Sequence, residues 1–156
     1  MLTDVSLLVL RLAVGSVFAA HGAQKLMKGV AATAEGFENL GIPLPMVAAV
    51  VVIAVELGGG IALALGCLTR IMGGLLAIDM LVALLLVHLP NGFFLPRGVE
   101  FVLVLFGASV ALAGVGAGAL SIDAAFQRWR SADEQPAERV AEREAERERR
   151  HIRRAS

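Results

Sequence analysis

Eight polar residues stand out in a chain that is otherwise strongly apolar, and they fall into two sets. Arg11, Glu56 and Asp79 each interrupt a long apolar run. A charge at the centre of a membrane helix costs about 2.5 to 3.5 kcal/mol on insertion scales, so such residues face inward and pair. Counting about 1.5 Å per residue from the inner end of each run puts Arg11 roughly 9 Å deep, Asp79 roughly 12 Å and Glu56 roughly 14 Å. Similar depth on three helices predicts a buried Arg11, Glu56 and Asp79 network. Two readings of it stand side by side: an ion network that fixes packing, or a path for protons or substrate. The second set is His21, Gln24 and Lys25 at the end of the first run, His88 at the end of the third and Glu100 at the start of the fourth. Proton relay, quinone headgroup binding and metal binding all suit such residues, and so does the plain tolerance of wet helix ends for polar groups. His88 follows Asp79 by nine residues, about 180° around an α-helix, which predicts that the two face different ways.

These residues need elements to position them. The runs are Val5 to Gln24, Met46 to Leu65, Ile71 to Leu89 and Val99 to Leu120, each near the roughly 20 residues that a spanning helix requires. They are apolar on nearly all sides, unlike the striped helices of a soluble domain. The expected fold is therefore all-α, an integral membrane four-helix bundle over residues 1–121 with a charged and helix-compatible tail over 122–156. Composition agrees: 57% of the 156 residues are hydrophobic and mean hydropathy is +0.74. The net charge of zero hides a division, because nine of the fourteen basic and eight of the fourteen acidic residues lie from Ile122 onward. Arg11 breaks the stretch that a cleavable leader would need, so the first run reads as a retained helix.

Helix phase supports inward orientation. Arg11, Gly15, Phe18, Gly22 and Lys25 recur every three or four residues, as do Glu56, Gly59 and Gly60. Gly73 with Ala77, Gly107 with Ala111 and Gly114 with Gly118 add small-xxx-small spacings that suit helix packing. The connection from Lys25 to Pro45 has room for a short interfacial helix, whereas Gly66 to Arg70 is a tight turn that makes the second and third helices antiparallel neighbours. Trp129 suits an interfacial anchor. Four spans place both termini on one side. Arg70, Arg128 and Arg130 balance Lys25, Lys28 and Arg97, and the further tail arginines tip both termini to the cytoplasm.

The single cysteine, Cys67, excludes an internal disulfide and any Cys-x-x-Cys site, and its apolar setting reads as inert packing. No phosphate-binding loop, nucleophile elbow or zinc-helix motif occurs, and the two span histidines lack metal-ligand spacing, so no metal is expected. Nothing points to nucleic acid. Glu138, Arg139, Glu142, Arg143, Glu144, Glu146, Arg147, Glu148, Arg149 and Arg150 make the tail a run of mixed charge. It reads as a solvated segment, with docking to a partner or to anionic lipid as the other reading.

The run Arg11, Gly15, Phe18, His21, Gly22, Gln24 and Lys25, followed by Gly41, Ile42 and Pro43, then by Glu56, Leu57, Gly58, Gly59 and Gly66 with Arg70, resembles the DoxX family of small bacterial membrane proteins. The resemblance extends over about Leu7 to Leu120 and leaves out the tail. It implies a four-helix plasma-membrane protein and, from some relatives, association with quinone-linked sulfur oxidation or with a membrane oxidoreductase complex handling thiol and oxidative stress. This chain has no recognisable haem, flavin or iron-sulfur motif, so a quinone or a partner subunit would have to supply any redox group. The expected role is an accessory, quinone-interacting subunit in the lipid bilayer, non-catalytic by itself, with a redox partner and a homo-oligomer as candidate associations. A small-molecule transporter or channel is the first alternative and a structural scaffold the second. A quinone site predicts an apolar cleft with His21 or Lys25 at its mouth; a transporter predicts a polar path across the bilayer.

Overall fold

A computed structural model describes residues 1–132, and among these every regular element is helical. Helix α1 spans Leu2–Lys28, α2 spans Val30–Asn39, α3 runs Pro45–Leu65, α4 runs Thr69–Asn91 and α5 spans Glu100–Val115. A last helix, α6, covers residues 122–132. Helices α1, α3 and α4 are long and apolar enough to cross a membrane, and α5 is a shorter apolar helix. Together these four form the bundle. The charge-rich run beyond residue 132 lies outside the described residues.

The helix ends follow from local chemistry. Gly29, at φ 96°, stops α1 and returns its N–H to the carbonyls of Lys25 and Leu26. Pro45 occupies the first turn of α3, where its missing N–H costs nothing. Gly66, at φ 70°, closes α3: its N–H reaches Leu63 O at 3.1 Å, and that of Cys67 reaches Ala62 O at 2.8 Å. This is the paired bonding of a Schellman cap, which needs a residue tolerant of the left-handed region. The start of α4 lacks a local cap and takes one from far along the chain, since the Asp123 carboxylate accepts the N–H of Leu68 at 2.8 Å and of Thr69 at 3.0 Å.

The fourth span is shorter than expected. It ends at Val115 rather than Leu120, because Gly114, Gly116 and Gly118 weaken the helix in succession and Gly116 adopts φ 92°. At about 1.5 Å per residue α5 is roughly 24 Å long, against roughly 40 Å for α1. The chain freed at 116–121 folds across the bundle end instead. There Asp4 accepts the Ala119 N–H at 2.9 Å, and Arg11 donates to Leu120 O at 2.6 Å. This is the terminal end of the bundle; the opposite, loop end carries α2 and residues 92–99.

Glycine sets the helix spacing. A Cβ on Gly15 would sit 2.5 Å from Gly60 O, and one on Gly22 would sit 2.4 Å from Leu57 N, so α1 and α3 touch backbone to backbone. Gly73 does the same for α4 against α5 at Ala113. Gly107 and Gly114 meet nothing within 4 Å, so those spacings are not used in packing among the described residues. Val14, Phe18, Leu63, Leu76, Met80, Val102, Leu105 and Leu112 form the core. Many other large apolar side chains, Ile78 and Val104 among them, face outward, as lipid requires.

Candidate functional site

The close approach of α1 to α3 fixes an antiparallel register in which Gly15 meets Gly60 and Ala64, and Gly22 meets Leu57. Continued by one turn, that register carries Lys25 to Glu56. The Lys25 ammonium and a Glu56 carboxylate oxygen are directly paired, with Glu56 only 5% exposed and Lys25 26% exposed. Asp79, on α4, brings a second carboxyl beside Glu56 and within electrostatic range of Lys25. Its Oδ2 is buried with no hydrogen-bond partner among the described residues.

Arg11 does not join them. The same register places it beside Gly66, a whole helix segment from Glu56, where its guanidinium is fully buried and bonded to Leu120 O. The expected Arg11, Glu56 and Asp79 network is thus two separate features. Depth counting failed because α1 overhangs the end of α3: Arg11, not Val5, lies level with the close of α3. A purely sequential reading had no means of seeing the overhang, but the glycine pairs Gly15/Gly60 and Gly22/Leu57 carried the register.

The Lys25, Glu56 and Asp79 cluster lines a cavity of about 390 Å³ in the loop-end half of the bundle. Phe18, Met80, Val102 and Leu105 close its deep end, and these same residues belong to the core. Phe37, Leu40 and Ile42, from α2 and the turn after it, contribute from the loop end, together with Leu95 and Pro96. Of these loop-end wall residues the sequence reading named only Ile42, as part of the resemblance; the others carry no polar group that would mark them in their own segments.

His21 and His88 both line the cavity, and His21 also lies near the Phe101 ring, centroid to centroid 6.4 Å. His88 therefore shares a cavity with Asp79, contrary to the half-turn separation expected. The cause is a π-helical turn over Leu84–His88, whose wider i→i+5 winding rotates each residue less than an α turn does and swings His88 back. Its Nδ1–H donates to Arg97 O at 2.9 Å, since that carbonyl can only accept, and this holds the ring against the loop. A second π turn, Val55–Gly59, carries Glu56 itself. Such turns are rare and recur at functional sites, and here both border one cavity.

Two of the loop-end candidates are not brought to the cavity. Gln24 is exposed on α1. Glu100 accepts the Leu95 N–H at 2.6 Å and so shapes the loop that closes over the cavity rather than the cavity wall. Asp123 was not singled out by the sequence either; its capping of α4 and its charge near Arg11 make it the organiser of the terminal end.

An apolar chamber with an ion pair and a spare carboxyl on one wall can hold an amphiphile by a ring or chain while its polar end bonds to the cluster. Comparison with known proteins agrees with a membrane setting. The DoxX family model matches residues 6–89. A Bacillus subtilis (strain 168) protein named "Putative oxidoreductase CatD" is 34% identical over 111 residues, covering 71% of this chain and 81% of that protein. "Inner membrane protein YphA" of Escherichia coli (strain K12) is 31% identical over 125 residues, covering 76% of this chain and 89% of its own. No solved structure matches. On the family model, on these two relatives and on its apolar helices, the chain belongs to the DoxX family of bacterial membrane proteins.

Proposed function

We propose that this chain is an accessory subunit that holds a lipid-soluble quinone in the loop-end cavity and presents it to a redox partner in the membrane. The observation that carries the reading is the cavity itself: apolar walls that converge on the Lys25, Glu56 and Asp79 cluster. The residues fit such a group. An ammonium has three donor hydrogens, so Lys25 can keep Glu56 and still donate to a ring carbonyl, and the imidazoles of His21 and His88 offer further polar contacts. A bound quinone would supply the electron-carrying chemistry that the chain's own residues lack. The printed name of the Bacillus subtilis relative, an oxidoreductase, is in keeping with a redox setting.

A channel fits less well. Beneath the cavity Val14, Phe18, Leu63, Leu76 and Leu112 are packed together. The buried polar side chains among the described residues outside the cluster are Arg11, Thr69 and Ser109, with no chain of hydrogen bonds joining them to it. A scaffold alone would have no use for a chamber flanked by two π turns. The test is retention. Protein purified gently from its native membrane should carry about one quinone per chain, and Ala83→Phe, which adds a ring at the cavity wall, should abolish this without loss of helicity. Absence of quinone from the parent protein, or its undiminished presence in the variant, would overturn the reading.

A further inference from the structure

The terminal end of the bundle carries basic groups that the fold scarcely uses. Its two carboxylates are engaged: Asp4 pairs with the amino terminus and accepts the Ala119 N–H, while Asp123 accepts two backbone N–H groups and lies near the Arg11 charge. Arg70 and Arg128 have no carboxylate partner among the described residues. Each makes one long bond to a carbonyl, Arg70 to Val115 O and Arg128 to Ala119 O, both at 3.4 Å. A guanidinium has five N–H donors, so most of each fork stays available. The two acceptors are four residues apart on one stretch of chain, which puts them at most about 14 Å from each other. Along that stretch a groove of about 600 Å³ opens between the start of α4 and α6, with Arg70, Gly118, Ser121 and Gln127 on its walls. A neighbouring hollow shares Ala119 and Gln127 with it and adds Arg128.

Beside this basic surface lies an apolar one. Ile122, Phe126 and Trp129 follow one another at four and three residues, hence on one face of α6, and all are exposed, Trp129 to 63%. The Phe126 and Trp129 rings lie 5.9 Å apart. Asp123 ties the start of α6 to the first residues of a spanning helix, so both surfaces sit where the spans leave the bilayer, near the level of the lipid phosphates. We propose that α6 and Arg70 form a binding site for an anionic phospholipid, its phosphate held by Arg70 and Arg128 and its acyl chains beside Phe126 and Trp129. The fork of a guanidinium matches paired phosphate oxygens, and basic pockets at helix ends take anionic headgroups. Charge alone would also admit an acidic protein segment. The exposed aromatic pair at the membrane surface favours a molecule whose anion is joined to an apolar part.

Trp129 is the single tryptophan of the chain and reports on the site directly. Full-length protein is reconstituted in phosphatidylcholine vesicles, and its fluorescence is quenched with phosphatidylglycerol or phosphatidylcholine carrying the same brominated acyl chains. Phosphatidylglycerol should reach half-quenching at about tenfold lower mole fraction, the order that two arginines near the surface supply. Arg70→Gln with Arg128→Gln should bring that ratio to within about twofold of unity at unchanged helicity. Arg128→Gln alone, on the exposed side of α6, should lower it about threefold, which keeps the test decisive if the double variant fails to fold. Replacing Arg149, Arg150, Arg153 and Arg154 in the tail by glutamine should leave the ratio intact, as should excess inorganic phosphate at matched ionic strength. Equal quenching by the two lipids in the parent protein would overturn the proposal, and so would a preference that survives the loss of both Arg70 and Arg128. A preference abolished by the tail replacements would move the lipid to the tail and overturn the groove. Displacement by inorganic phosphate would overturn the lipid assignment in favour of a free anion.

Discussion

Glu56 is almost wholly withdrawn from solvent, so its energetics depend on Lys25 more than on anything else within reach. Removing one partner of a buried ion pair costs about 3 to 5 kcal/mol because the remaining charge stays desolvated, and the partial exposure of Lys25 puts this pair at the low end. Lys25→Met should therefore lower stability in detergent by about 3 kcal/mol, and adding Glu56→Leu should recover a good part of it. Arg11→Leu behaves differently. Its guanidinium lies at the terminal end on Leu120 O, so its decrement and that of Glu56→Leu should add to within about 0.5 kcal/mol, as for distant sites. Thermal unfolding of the three singles and two doubles checks both statements; strong coupling between Arg11 and Glu56 would mean that one network exists after all. At this scale the sequence told which residues were out of place in lipid, because desolvation cost depends on residue type alone. It could not tell which charge met which, because partnership depends on helix register.

Register belongs to the elements, and here it is written in glycine. At Gly22 a Cβ would lie 2.4 Å from the backbone nitrogen of Leu57, an atom that cannot turn aside as a side chain can. Gly22→Ala should force α1 from α3 and cost about 1 to 3 kcal/mol, the range for overpacking. It should also loosen the Lys25 to Glu56 pair one turn further on. Gly74, on α4, meets nothing within 4 Å, so Gly74→Ala should leave the melting temperature unchanged or slightly raised. Equal damage from both substitutions, measured by thermal unfolding, would show that helix propensity rather than close approach decides. The spans themselves were legible, since α1, α3 and α4 each extend only a few residues beyond the apolar windows that announce them. The π turns were not. An apolar run such as Leu84 to Val87 looks the same wound either way, and the periodicity argument assumes 100° per residue throughout, so His88 was assigned to the wrong side of α4.

For the whole molecule, the even number of spans brings Met1, the Gly66 turn and α6 to the terminal end, tied there by Asp4, Arg11 and Asp123. Which side of the membrane that end faces follows from the number of Lys and Arg residues in the short segments next to the spans. By sequence, three basic residues at each end give a tie. Lys25, Lys28 and Arg97 lie at the loop end, and Arg70, Arg128 and Arg130 at the terminal end from which the tail continues. The arginines further along the tail add to the same side. The expected topology therefore has both termini in the cytoplasm and the mouth of the cavity on the far side. A C-terminal fusion to a phosphatase that folds only outside the cytoplasm should be inactive, and a fluorescent fusion at the same site should glow. Replacing Arg70, Arg128 and Arg130 together by glutamine should then yield a mixed population with measurable phosphatase activity. A parent fusion that is already fully active would reverse the topology and put the cavity mouth on the cytoplasmic side.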